Sequence, residues 1–179
     1  MIERQVSLLR GINVGRANRI TMSNLRAIYE QLGCRDVTTY VQSGNVILSS
    51  SHAPAELSRR AEIALELHHG LKLRILGRTR VELIRIVAAN PYPAAQDTQH
   101  HVVFLSGPVQ AAGLASLGRL AAEDEEFTLA GGELHLLQPS GMGRSKLGQA
   151  LTERNLGVVA TARNWRTMLQ LVELTDPAS

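Results

Sequence analysis

Residues 8–20, LLRGINVGRANRI, gather two glycines, two asparagines and three arginines behind a short apolar run. Those types suit the capture of a negatively charged or hydrogen-bonding ligand. Glycine lets backbone N–H groups come close to a ligand, the asparagine amide both donates and accepts, and the guanidinium fork matches carboxylate or phosphate. Three more stretches share this character: QSGN (42–45), PSGMGRSK (139–146) and TARN (161–164). GRSK and ARNW read as helix openings, where free N–H groups and the positive end of the helix dipole attract an anion. The candidate ligand-binding residues are Arg10, Gly11, Asn13, Gly15, Asn18 and Arg19, then Gln42, Ser43, Gly44 and Asn45, and finally Arg144, Ser145, Lys146, Thr161, Arg163 and Asn164. The plainer alternative is that Ser145 and Asn164 only cap helices, the glycines only turn the chain, and the arginines are solvated.

Covalent chemistry finds less support. GMGRSK lacks the Gly-Lys-Ser/Thr order of a phosphate loop. Ser145 and Lys146 are adjacent, so on a helix they point about 100° apart and do not pair. Cys34 follows a helix-ending glycine and reads as a buried small residue. His68-His69 end a helix and His100-His101 open a strand, neither with metal-ligand spacing. EDEE (123–126) reads as a solvated run guarding a strand edge. No catalytic residue, metal or cofactor is assigned from these residues.

The elements that must position the loops follow from periodicity and caps. QVSLL (5–9) reads as a strand. Residues 21–32 read as a helix with Met22, Leu25, Ile28, Tyr29 and Leu32 on one face, capped by Thr21 and closed by Gly33. DVTTYVQ and NVILSS are strands turning through QSGN. A helix opens near Pro54 with Leu57, Ala61, Ala64, Leu65 and His68 facing inward. LKLRIL (71–76) reads as a strand, and Thr79 with Glu82 forms a capping box for a helix over 79–89. After NPYP (90–93) the order recurs: strand 101–106, helix 109–121, strands EEFTLA and ELHLLQ around Gly131-Gly132, helix 145–156, strand VVAT (158–161), and helix 164–174 carrying Trp165, Met168, Leu169 and Val172.

The expected fold is therefore α+β, with two tandem ferredoxin-like βαββαβ units, each followed by an extra helix. The expected domains are residues 1–92, holding the Gly/Asn/Arg loop, and 93–179, holding GRSK and TARN. In such a unit the first and second strands run parallel with the third between them, so residues 10–20 and 42–45 meet at one end of the sheet. The same logic gathers Arg144, Lys146, Thr161, Arg163 and Asn164.

Composition narrows the classes. Apolar residues make up 44% of the 179, enough for a core, but aromatics are only 3%, which leaves little for base stacking on a sheet. Nineteen Lys+Arg against 16 Asp+Glu give a mild +3, suited to an anionic small molecule as well as to nucleic acid. One cysteine forbids an internal disulfide. MIERQVSLLRG lacks the pattern of a signal peptide, and no stretch has the ~20 apolar residues of a bilayer span. The expectation is a cytoplasmic protein without membrane contact.

The patterns LLRGINVG…NRI.M..LR, LG..DV.TY.QSGNV, G.GRSKL and AT.RNW.T together resemble the domain of unknown function 1697 family of uncharacterised bacterial proteins, over about residues 6–174. Positions 11, 13, 15 and 18 fit its pattern, while Arg16 and Ala162 depart from it. The resemblance implies a duplicated ferredoxin-like α+β structure and no established activity, catalytic residue or cofactor. The leading expectation is a binder of an anionic small ligand, nucleotide-like or a phosphorylated or carboxylated metabolite. Arg10, Asn13, Gln42 and Asn45 would orient it, and Arg144, Lys146 and Arg163 would hold its charge. Two alternatives stand beside it: a nucleic-acid-binding module contacting phosphates, and a structural or protein-interaction domain.

Overall fold

A computed structural model describes residues 2–13 and 18–177; Gly15 and Arg16 lie outside them. The chain is α+β, with two four-stranded antiparallel sheets. It divides into two compact units, residues 1–83 with 171–179, and residues 84–170.

In the first unit, β1 (Glu3–Leu9), α1 (Met22–Gln31), β2 (Arg35–Tyr40), β3 (Asn45–Ser50), α2 (Pro54–His69) and β4 (Ile75–Thr79) follow one another, and the sheet runs β2-β3-β1-β4. β1 lies antiparallel to both β3 and β4, and β3 antiparallel to β2. β1 and β2 are therefore parallel, and the 10–20 and 41–44 connections leave the same end of the sheet. Helix α1 forms where the periodicity predicts it. Thr21 Oγ1 accepts from Asn24 N at 3.2 Å, Leu25, Ile28 and Tyr29 are buried, and Gly33 takes φ +81° just past the end. These side chains join Leu9, Val46, Leu48, Leu57, Ala61 and Leu65 in one core. Ile12 and Ile20 reach the same core from the glycine-rich loop, so both ends of that loop are anchored.

Two expectations in this unit need correction. The fourth strand begins at Ile75, four residues later than predicted, because its ladder pairs Ile75–Thr79 with Gln5–Leu9; Leu73 is buried without belonging to the sheet. His68 is exposed. Ser58 is the additional inward residue of α2, its hydroxyl donating to the Pro54 carbonyl at 2.8 Å.

The capping box forms as predicted at α3 (Arg80–Ala88): Thr79 N donates to Glu82 Oε2 at 2.8 Å, and Glu82 N to Thr79 Oγ1 at 3.2 Å. The second unit then holds β5 (His100–Leu105), α4 (Ala111–Leu120), β6 (Glu126–Ala130), β7 (Glu133–Leu137), α5 (Lys146–Gln149), α6 (Glu153–Leu156) and β8 (Ala160–Asn164), its sheet ordered β6-β7-β5-β8. Its core packs Val103, Leu105, Leu134 and Leu136 against Leu117, Leu147 and Leu156. The helix expected over 145–156 is two short helices. Thr152 starts a new cap, its hydroxyl accepting from Asn155 N at 3.2 Å, so the chain reopens rather than continuing. The last strand covers 160–164 and not 158–161.

Helix α7 (Trp165–Leu174) begins in the second unit and ends in the first. Within the first unit two arginines hold its last turn. Arg4 donates to the Leu174 carbonyl at 3.1 Å, and Arg80 donates to the Val172 carbonyl and to Asp176 Oδ2, both at 2.6 Å. Cations suit the carbonyl end of a helix. Arg80→Ala is expected to lower the stability of the first unit by about 1–2 kcal/mol, and Asp176→Asn by less, since the carbonyl contact survives. Urea unfolding of the two variants, with limited proteolysis of the tail, measures the difference.

Candidate functional site

The first-unit loop is a framed structure. Asn13 and Asn18 both adopt left-handed backbone, φ +53° and +51°, a conformation asparagine tolerates better than most residues. Asn13 N donates to the Asn18 carbonyl at 3.0 Å, and Asn18 Nδ2 to the Gly11 carbonyl at 3.3 Å, closing the loop base. The Asn13 side chain then pairs with Ile20 as a strand would. Its Oδ1 accepts from Ile20 N at 3.0 Å and its Nδ2 donates to Ile20 O at 3.1 Å. The same Nδ2 lies 3.4 Å from the Gln42 carbonyl, so the two predicted loops do meet.

Asn45 has a different place from the one expected. It is fully buried and is not among the residues that line the first-unit cavity; its amide donates to the Tyr40 carbonyl at 3.0 Å and to Ser43 Oγ at 3.1 Å. It holds the hairpin rather than offering itself to a ligand. Gly44 is likewise a packing residue, with φ +78° and the site of an added Cβ only 2.8 Å from Leu9 Cβ. Its carbonyl accepts from Leu9 N at 2.8 Å. Gly11, at φ +70°, has no described residue within 4 Å of where a Cβ would stand. Arg10 is tied to the sheet end by its backbone N–H, which donates to the Arg74 carbonyl at 2.9 Å.

Residues of this frame line a cavity of about 670 Å³. Asn13, Arg19 and Gln42 line it, as the sequence leads one to expect, and so do Thr21, Asn24 and His69, which the sequence reading missed. The missed residues come from the start of α1 and the end of α2, and the first turn of α1 carries no acidic side chain to offset its dipole. The available signal was the Thr21 cap itself, which places a helix start at the loop's exit.

The second unit gathers only part of its expected cluster. Arg144, Ser145 and Lys146 line a recess of about 440 Å³ together with Arg119, Asp124 and Glu125. Ser145 Oγ is spent on the cap of α5, accepting from Gly148 N at 2.9 Å. Thr161 and Arg163 belong to strand β8 and are buried, and neither lines that recess. The ladder from His101–Asn164 to Leu105–Ala160 takes TARN into the sheet. Arg163 folds back onto Thr161 Oγ1 at 2.9 Å and the Ala162 carbonyl at 2.7 Å, and burial pulls its guanidinium down to about 10. Asn164 caps α7, accepting from Thr167 N at 2.8 Å. For Ser145 and Asn164 the plain capping role is the observed one.

A buried histidine pair, absent from the sequence reading, completes the second unit. Val102 stands opposite His135, so His100 and His135 are diagonal neighbours on one sheet face. His100 Nε2 lies 2.9 Å from His135 Nδ1, and Trp165 stacks on the His100 ring at 4.4 Å. Tyr92 meets the same ring edge-on at 5.5 Å. Burial, then the neighbouring imidazoles, push His100 down to about 4; burial pushes His135 to about 4 as well. Cys34 is buried, and that burial pushes its thiol up. Among the described residues no group of three or more His, Cys, Asp or Glu is placed to hold a metal, and no helix is long and apolar enough to cross a membrane.

Comparison with known proteins agrees with this architecture. The conserved bacterial protein SP0830 from Streptococcus pneumoniae has a similar structure, with a TM-score of 0.80 over 98% of this chain and 100% of that one. At 19% identity the likeness speaks for the fold alone. No curated protein matches the chain. The family model described as a protein of unknown function, DUF1697, matches residues 2–135, three quarters of the length, and the chain belongs to that family.

Proposed function

We propose that the protein binds a small anionic ligand, nucleotide-like or a phosphorylated or carboxylated metabolite, in the first-unit cavity. The observation that carries this reading is convergence: Asn13, Arg19 and Gln42, from two loops some thirty residues apart in sequence, line one cavity of about 670 Å³ at the start of a ten-residue helix. The helix supplies oriented N–H groups and a positive end, and Arg19 supplies full charge. A concave space of this size suits a small molecule. Thr21 Oγ1 is engaged with Ser23 Oγ and Asn24 N, so the groups facing the ligand bind and orient it rather than attack it. Any rate effect would come from electrostatic stabilisation.

This reading takes each four-stranded sheet with its helices as a ferredoxin-like unit. The β2-β3-β1-β4 and β6-β7-β5-β8 orders support it, with the cavity at the end of the first sheet. It also takes the protein to work in the cytoplasm, where such metabolites are found.

The test is thermal shift against a panel of phosphate, nucleoside mono- and triphosphates, and di- and tricarboxylates. A hit should raise the melting temperature of the wild type by several degrees at saturating ligand. Arg19→Ala should abolish the shift and Gln42→Ala should reduce it. Equal shifts in wild type and Arg19→Ala for every hit would overturn the proposal.

A further inference from the structure

We infer that the recess beside α4 in the second unit is a separate site, built for the terminal phosphoryl group of a small phosphomonoester. It does not rest on the first-unit reading. Arg119 comes from the last turn of α4, and Arg144 and Lys146 flank Ser145 some twenty-five residues on, yet all three line one recess of about 440 Å³. Among the described residues none of the three side chains makes a hydrogen bond or ion pair. Asp124 and Glu125 share the recess with these three cations, which leaves it with an excess of positive charge. A ligand of opposite charge offsets that excess.

The charge and shape of the recess select the ligand. A phosphomonoester is close to a dianion at neutral pH, because its second pKa is about 6. It presents three acceptor oxygens, enough for two guanidinium forks and an ammonium. Ser140 adds a hydroxyl to the lining. Asp124 and Glu125 stand in the same recess, and Glu125 is partly committed to its own turn, accepting from Ala122 N at 3.1 Å. The two carboxylates reduce the positive excess of the recess, which suits one phosphoryl group better than a run of phosphates.

The experiment is calorimetric titration of the full chain with glycerol phosphate, inorganic phosphate, acetate and a poly-uridine strand. Saturable binding of glycerol phosphate is expected, stronger than that of acetate. Arg119→Ala and Arg144→Ala should each weaken it by about tenfold, the worth of a hydrogen bond to a charged group. The titrations are repeated in an Arg19→Ala background, which silences the first-unit cavity and leaves the second-unit recess to be read alone. Circular dichroism of each variant checks folding, and Lys146→Gln provides a milder second variant. Binding that is equal in wild type and all three second-unit variants would overturn the proposal. So would absence of saturation below about 10 mM, or tighter binding of the poly-uridine strand lost in the same variants.

Discussion

Gly44→Ala is expected to destabilise the first unit by about 3 kcal/mol, from left-handed backbone strain and overpacking together. The residue sits at φ +78°, where a side chain is strained whatever the space around it. Here the space is also missing, since the new Cβ would stand 2.8 Å from Leu9 Cβ and 3.1 Å from two Ile12 carbons. Neither neighbour can give freely: Leu9 is held by its N–H on the Gly44 carbonyl, and Ile12 is 2% exposed in the core. Pushing Ile12 away moves the base of the loop that frames the cavity, so any ligand-induced thermal shift should vanish with the stability. Gly11→Ala is the control. Its φ of +70° carries the same backbone strain, but no described residue lies within 4 Å of the added carbon, so about 1 kcal/mol is expected. Urea unfolding of both variants settles the ratio.

The second large effect is on pH. His100 and His135 are essentially solvent-free, at 1% and 0% exposed, and are held as a neutral pair. Both are pushed from 6.5 to about 4 in the folded protein. Between those values the unfolded chain binds protons that the folded chain refuses, so stability rises with pH across that window. It is fully present above about pH 6.5 and drains away as the pH falls toward 4, by on the order of 3 kcal/mol for the hydrogen-bonded pair. The one tryptophan, Trp165, stacks on His100, so its fluorescence follows this unit. The urea midpoint read by Trp165 should fall between pH 7 and 4.5, and the fall should be much smaller in a His100→Gln, His135→Gln double variant. An unchanged slope in that variant would place the titration elsewhere.

Local elements were legible in the sequence where a single segment carries its own instructions. Thr21 and Gly33 bracket α1, and Thr79 with Glu82 opens α3, because caps act within one turn. The meeting of residues 10–20 with 42–45 followed from strand order alone. What depends on register was not legible. Val158 and Val159 have the β propensity that drew the last strand forward, but the ladder on β5 begins at Ala160. That two-residue slide turned Thr161 and Arg163 from loop ligands into strand residues. Arg119 carries no signal of its own in the sequence; the packing of α4 places it in one recess with Arg144 and Lys146. The His100–His135 pair needs the diagonal offset of β5 and β7, which no single strand announces. Gly44 read correctly as a turn residue, with Asn45 opening β3 behind it; that the two support their neighbours is a matter of burial.

The return of α7 to the first unit has a consequence for how the molecule is made. A ribosome emits Arg4 and Arg80 long before Val172, Leu174 and Asp176, the groups on which those arginines close. The amino-terminal half therefore waits, unfinished, through translation of the whole second sheet, and its final clasp shuts only when the tail has cleared the exit tunnel.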